Sequence, residues 1–168
     1  MKRPPFEIHP MLSDDTVLLR SIAPHEVSQL IAISFYDAQQ ATTLDQAATM
    51  LARISEDYRA GNTIHWGIED TLTHQLVGTC GYYRGFEKGR GELGCVLLEQ
   101  FRGHGYMAKA LKLAVDFGRD EMKLKAVVAI TTRLNHPAVR LLESLDFREV
   151  AALPDGYVEY SYPFRAES

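Results

Sequence analysis

Six residues, Gln100 to Gly105 (QFRGHG), stand between the apolar run Leu93 to Leu98 and an amphipathic stretch that begins at Tyr106. Their types and spacing suit the binding of a phosphate-bearing ligand. A strand delivers the chain, and Gly103 and Gly105 carry no side chain to hold a pyrophosphate away from the backbone. The helix that follows presents the unpaired N–H groups of its first turn at the positive end of its dipole. Two other readings share these residues. One is a tight strand-to-helix turn that binds nothing. The other is a dinucleotide fingerprint, because Gly103, Gly105 and Ala108 satisfy G-x-G-x-x-A. That fingerprint requires an acidic residue at the end of the next strand, where this sequence has Thr131, Thr132 and Arg133, and too few residues remain to complete a doubly wound sheet.

Glu92 begins the strand that leads into the loop. A carboxylate there can serve as a general base, or it can be a strand-edge charge paired with Arg90 or Lys88. Asn135, ahead of His136 and Pro137, is a natural helix N-cap. His104 reads as a solvent-facing member of the loop, and His9, His25, His65, His74 and His136 lack metal-ligand spacing, so no metal is expected. Cys80 and Cys95 lie inside apolar runs rather than in C-x-x-C spacing, which implies packed, reduced thiols in a cytoplasmic protein; Cys95 reads as core rather than nucleophile. Trp66, Tyr82, Tyr83 and Phe86 fall on strands where half-burial favours aromatics, and the same positions could line an acceptor pocket.

These residues need elements to position them. A strand is expected at Thr16 to Ile22, a helix from Pro24 to about Phe35, and a second helix from Leu44 to about Ala60, stopped by Gly61-Asn62. Three strands, Thr63 to Glu69, Gln75 to Tyr83 and Gly91 to Leu98, are joined by turn-rich segments and read as an antiparallel meander. After the loop come a helix from Tyr106 to about Met122, a strand at Lys125 to Thr131 covered on both faces, and a short helix at Pro137 to Leu145. Phe147 to Ala151 and Tyr157 to Phe164 are closing strands. This order implies an α+β fold with a mixed, mostly antiparallel central sheet flanked by helices, in a single domain spanning all 168 residues. The opening residues lack an apolar leader core, and no apolar run reaches the ~18 residues of a membrane span. With 18 basic and 22 acidic side chains, the net charge of -4 gives no case for nonspecific binding to nucleic acid.

The arrangement resembles the GNAT acetyltransferase family over nearly the whole chain. The family's central motif, Gln or Arg, two residues, Gly, one residue, Gly or Ala, is matched by Gln100, Gly103 and Gly105; its second, an Asn followed by a short helix ending in Gly-Phe, is matched by Asn135 to Phe147 with Asp146 in place of the glycine. LLRSIAPHE and GELGCVL further resemble the Rim-type ribosomal-protein N-terminal acetyltransferases. The resemblance implies central strands that splay apart, acetyl-CoA as co-substrate and an amine as acceptor, either a protein N-terminus or a small molecule. A homodimer is compatible with it. Backbone amides around Arg102, Gly103, His104, Gly105, Tyr106 and Met107 would take the pyrophosphate. A main-chain N–H near Val96 or Leu97 would meet the thioester oxygen, a contact worth roughly 3 kcal/mol as the oxyanion develops. Asn135 would bond the pantetheine, Arg140 would face the adenosine end, and Glu92 would be the base.

Two family hydroxyls are missing. The position seven residues after Asn135 is Leu142, where a tyrosine acid often stands, and the position three residues after it is Ala138, where the Rim-type branch often has serine. Tyr157 or Tyr160 could supply the acid from the closing hairpin. Lys109 replaces an acidic residue common in this branch. These departures keep open the alternative of a noncatalytic acyl-CoA-binding module.

Overall fold

The computed structural model describes residues 1–164. Ten strands form: β1 (Leu12–Ser13), β2 (Val17–Arg20), β3 (Phe35–Tyr36), β4 (Gln39–Gln40), β5 (Ile64–Asp70), β6 (Leu76–Tyr82), β7 (Arg90–Leu97), β8 (Ala126–Thr132), β9 (Arg148–Ala152) and β10 (Tyr157–Tyr162). Eight of them make one sheet in the order β1-β2-β5-β6-β7-β8-β10-β9, with β3 and β4 as a separate hairpin. Every pairing in the large sheet is antiparallel except β7 with β8. That arrangement is not the doubly wound parallel sheet of a dinucleotide-binding fold.

Three helices cover the sheet: α1 (Leu44–Arg59), α2 (Tyr106–Asp120) and α3 (His136–Ser144). Thr43 caps α1 by accepting the Gln46 N–H at 3.2 Å, while Gln46 reaches back to the Thr42 N–H at 2.8 Å. The α2 residues Ala110, Leu111, Ala114, Val115 and Phe117 pack into the main core with Trp66, Tyr82 and Leu97. Strand alternation sends the intervening residues of β5, β6 and β7 to the opposite face, toward α1 and the segment before it.

That segment differs from the expected helix. Residues Pro24–Gln29 and Ile31–Ile33 form two short 3-10 turns, broken at Leu30 (φ -116), and then the β3–β4 hairpin. β-branched Ile31 and Ile33 favour helix weakly, and Ser34 Oγ donates to the Leu30 carbonyl at 2.7 Å, competing with helical continuation. Asp37 and Ala38 turn the hairpin with both φ values positive, 51° and 62°. Arg20 fastens this segment to the sheet, pairing with Glu26 at 2.7 Å and Glu69 at 2.9 Å. The strand expected to be covered on both faces is so only at Val127, Val128 and Ala129; Ile130 is 39% exposed because its neighbour strand has moved away.

Candidate active site

The glycine loop follows a 3-10 turn, Glu99–Phe101, and ends at Gly105, the residue that caps α2. Gly103 and Gly105 have φ of +80° and +82°, which side-chain-bearing residues adopt at a cost. A Cβ on either would meet no protein atom within 4 Å, so the space beside the backbone is open. Among the described residues, no main-chain N–H from Gly103 to Ala108 donates to another main-chain group. These six amides belong to the exposed loop and to the first turn of α2, and the side chains of Arg102 and Arg140 are exposed. A pyrophosphate fits this cradle. Tyr106 anchors it from behind by donating to the Asp70 carboxylate, which also accepts the Leu72 and Thr73 N–H groups and is held below the usual carboxylate range by these bonds, that from Tyr106 first. Lys109 donates to Thr16 Oγ1 at 3.0 Å, tying α2 to the β1–β2 turn.

β7 and β8 pair only at Arg90 with Ala126, Gly91 with Val127 and Glu92 with Val128, although β7 runs on to Leu97 and β8 to Thr132. The facing edges beyond Glu92 are therefore open. The ladder on the other edge of β7 decides which amides enter this gap. Tyr83 N–H bonds the Glu92 carbonyl and Leu98 N–H bonds the Val77 carbonyl. By alternation, Gly94 and Val96 turn their main-chain groups to Gly81 and Thr79 on β6. Cys95 and Leu97 turn theirs into the gap. Of the two oxyanion donors expected from the sequence, the Val96 amide is committed to the sheet and the Leu97 amide faces the opening.

The gap leads into a cavity of about 830 Å³ between the sheet and the α1 side. Ile22, Leu30, Phe35, Met50, Ile54 and Val96 contribute to its apolar wall, and Asp37, Asp57, Glu92, His65, Tyr36 and Tyr83 are among its polar groups. Glu92 Oε2 pairs with Arg84 Nε at 2.6 Å; the glutamate side chain is 18% exposed and the arginine 77%, so an exposed surface cation partners a sheltered carboxylate. This partner is Arg84, neither of the two neighbours expected from sequence, Arg90 and Lys88; Arg90 pairs with Glu159. Tyr36 donates to Asp57 at 2.9 Å, which pushes the Tyr36 phenol up. His65 Nδ1 lies 2.9 Å from Tyr83 Oη. Burial, with a smaller contribution from His9, pushes the His65 imidazole down to about 4, and burial pushes the Tyr83 phenol up.

The sequence profile of the family described as acetyltransferase (GNAT) domain matches residues 7–148. The chain belongs to the GNAT family. YoaA of Bacillus subtilis, an uncharacterized N-acetyltransferase, is 23% identical over 163 residues, covering 92% of this chain and 92% of YoaA. The structure of RimL, a ribosomal alpha-N-protein acetyltransferase in complex with coenzyme A, superposes with a TM-score of 0.80 at 13% identity, covering 92% of this chain and 98% of RimL. A dodecameric spermidine N-acetyltransferase from Vibrio cholerae gives 0.74 at 14% identity, with 89% and 95% covered. GNAT membership makes this an acetyl-CoA-dependent N-acetyltransferase, and the mixed sheet with its parallel central pair splaying beyond Glu92 is the GNAT architecture.

Several expectations are sharpened on this frame. Asn135 caps α3, its Oδ1 accepting the Ala138 N–H at 3.3 Å, while Arg140 and His104 are exposed. Asp146 has φ +69, and Phe147 N–H reaches back to the Leu142 carbonyl, so the family's glycine position is a left-handed helix stop. Leu142 is 5% exposed and belongs to the core. The closing-hairpin tyrosines stand apart from the cavity. Tyr160 is buried in the same core and Tyr157 is exposed at the strand end, and neither lines the cavity. Trp66, Tyr82 and Phe86 pack in the α2 core, which leaves Tyr83 as the aromatic of that group in the cavity wall. Cys95 also reaches the wall, its thiol pushed up by the hydrogen bond to Cys80 and by burial. The Tyr83–His65 pair and the Tyr36–Asp57 pair were not predicted. The available signal for the first was Gly81 and Gly94, since glycine inside a strand marks a close approach.

Proposed function

We propose that this GNAT chain transfers the acetyl group of acetyl-CoA to a primary amine in the cytoplasm, with Glu92 as the base. One observation carries the reading: the Glu92 carboxylate stands where β7 and β8 part, in the wall of a cavity that is lined along β7 from Glu92 to Val96. The co-substrate supplies a thioester, whose carbonyl carbon accepts an amine once the amine is neutral. An α-amine has a reference pKa near ~7.7 and a lysine near ~10.4, so the acceptor arrives mostly protonated at neutral pH. Glu92 removes that proton directly or through one water. The Leu97 N–H donates to the carbonyl oxygen, a bond that strengthens as negative charge develops there. The amides from Gly103 to Met107 hold the pyrophosphate, with Gln100 at the loop's entry; the Arg102 N–H, expected among them from the sequence, is spent on the Glu99 carbonyl at 3.2 Å. Asn135 keeps its Nδ2 free for the pantetheine after its Oδ1 is spent on the Ala138 N–H, and Arg140 faces the adenosine end.

The acceptor pocket combines an apolar wall with the acidic groups Asp37, Asp57 and Glu92. That lining supports an amine attached to an apolar body, whether the N-terminus of a protein or a small molecule. The names of the structural neighbours, a ribosomal-protein alpha-N-acetyltransferase and a spermidine N-acetyltransferase, span both kinds of acceptor. Free-thiol release from acetyl-CoA against N-terminal peptides, polyamines and amino sugars tests the reading. Turnover with one class supports it. Saturable acetyl-CoA binding with no turnover on any acceptor favours instead a noncatalytic acyl-CoA-binding module, the reading motivated by Leu142 and Ala138.

A further inference from the structure

We propose that Tyr83, oriented by His65, is the acid that delivers a proton to the thiolate leaving the acyl donor. The proposal rests on the transferase reading above. It answers the question left by Leu142 and Ala138, neither of which has a hydroxyl, and by Tyr157 and Tyr160, which lie outside the cavity wall.

The other hydroxyls in that wall are occupied or weaker acids. Tyr36 donates to Asp57, Thr63 donates to the Tyr82 carbonyl at 2.8 Å, and Ser34 donates to the Leu30 carbonyl. Thr79 carries an alcohol, a far weaker acid than a phenol. Tyr83 has a phenol and a built seat for it. Gly81 and Gly94 stand opposite each other on β6 and β7. A Cβ at Gly81 would lie 3.0 Å from Tyr83 Cζ and Oη, and one at Gly94 would lie 3.0 Å from Tyr83 Cε2. The ring thus lies flat across a floor that only glycine leaves clear. At its tip, Oη meets His65 Nδ1 at 2.9 Å.

The register puts the Tyr83 and Glu92 side chains on one face of the sheet, in the wall of the same cavity. Tyr83 and Glu92 are bonded opposite each other, Tyr83 N–H to the Glu92 carbonyl at 3.0 Å, so their side chains leave the same face of the sheet. With its proton on Nδ1, His65 donates to Oη, leaves the phenol proton facing the cavity and stabilises the phenolate that forms when that proton is given up. Burial keeps His65 neutral and Tyr83 protonated at neutral pH, as this role requires.

The protons balance. Glu92 takes one from the ammonium of the acceptor, and the amine nitrogen bonds the acyl carbon as the carbon–sulfur bond breaks, its electron pair leaving with sulfur. Tyr83 gives its proton to that sulfur. The second proton shed by the new amide nitrogen restores the phenol, and Glu92 releases the first to solvent.

The test compares the parent with Tyr83→Phe, His65→Leu and the double variant, using free-thiol release on one acceptor together with nitrogen NMR of the imidazoles in the ligand-free protein. The expected NMR result is a neutral His65 protonated at Nδ1, with a resonance that moves in Tyr83→Phe. The expected kinetic result is a kcat lowered about 100-fold in Tyr83→Phe at unchanged KM for acetyl-CoA, with the double variant no slower than Tyr83→Phe alone. Tyr83→Phe with kcat within threefold of the parent overturns the acid role, as does a loss that appears in KM instead. His65 protonated at Nε2, or unmoved in Tyr83→Phe, overturns the orienting role even if the tyrosine matters. A parent inactive on every amine defeats the transferase reading itself, and the NMR result still tests the pair.

Discussion

Replacing His65 by Asn gives a pH signature whose size follows from the site. The imidazole is pushed from its ordinary 6.5 down to about 4 by burial. A histidine with a lowered folded pKa binds a proton more readily when unfolded, so its contribution to stability is fully present above about pH 6.5 and is lost as the pH falls toward 4. At ~1.4 kcal/mol per pH unit, the depression costs the folded protein about 2 to 3 kcal/mol by pH 4, the lower figure allowing for water that reaches the ring from the cavity. Asn places an amide near the Nδ1 position, so Tyr83 retains a partner while the titration disappears. Urea unfolding of parent and His65→Asn at pH 7 and pH 4 isolates the effect, because the carboxylates cancel in the difference and the smaller coupling to His9 is part of what the substitution removes. The parent's stability relative to the variant should fall by about 2 to 3 kcal/mol between the two pH values. A difference that stays constant within about 0.5 kcal/mol would refute the buried, neutral imidazole on which the Tyr83 argument also leans.

Three further outcomes follow from the same structure. Asp146→Gly relieves a left-handed residue at the end of α3 (φ +69), and should gain about 0.5 to 1 kcal/mol, seen as a melting point higher by about 1 to 4 °C. Gly105→Ala meets no neighbour within 4 Å but needs φ +82, so the protein should still fold, about 1 to 2 kcal/mol weaker, while calorimetry shows acetyl-CoA affinity reduced at least about tenfold because the new Cβ stands in the phosphate cradle. Asp57→Asn should raise KM for the amine several-fold with kcat retained, since Asp57 lies in the cavity wall on α1 and its charge draws the ammonium rather than reacting; unchanged KM would remove it from the acceptor site.

The glycine loop, α1, α2, α3 and the strand meander could be read from the chain because each carries local information: glycines at a strand-to-helix junction, helical spacing in Ala47, Met50, Leu51 and Ile54, and turn residues between apolar runs. The 3-10 segment was less legible, since Val27, Leu30 and Ile31 have helical spacing and only the backbone at Leu30 breaks it. The Asp37–Ala38 turn lacks the glycine that marks such hairpins. The active-site details depend on parity. Tyr82 enters the α2 core and Tyr83 the cavity, one residue apart, and the Val96 and Leu97 amides face opposite edges of β7. Composition does not distinguish such neighbours; strand register does. The pairing of Glu92 with Arg84 likewise depends on how the β6–β7 turn folds back.

The most direct test of the central claim is the rate of free-thiol release by Glu92→Gln on the preferred acceptor, measured from pH 6 to pH 9.5 with acetyl-CoA saturating. If Glu92 is the base, kcat near pH 7 falls about 100- to 10,000-fold with acetyl-CoA affinity unchanged, and the loss shrinks as rising pH supplies the amine already neutral. A Glu92→Gln enzyme that keeps the parent's rate across that range would contradict the account.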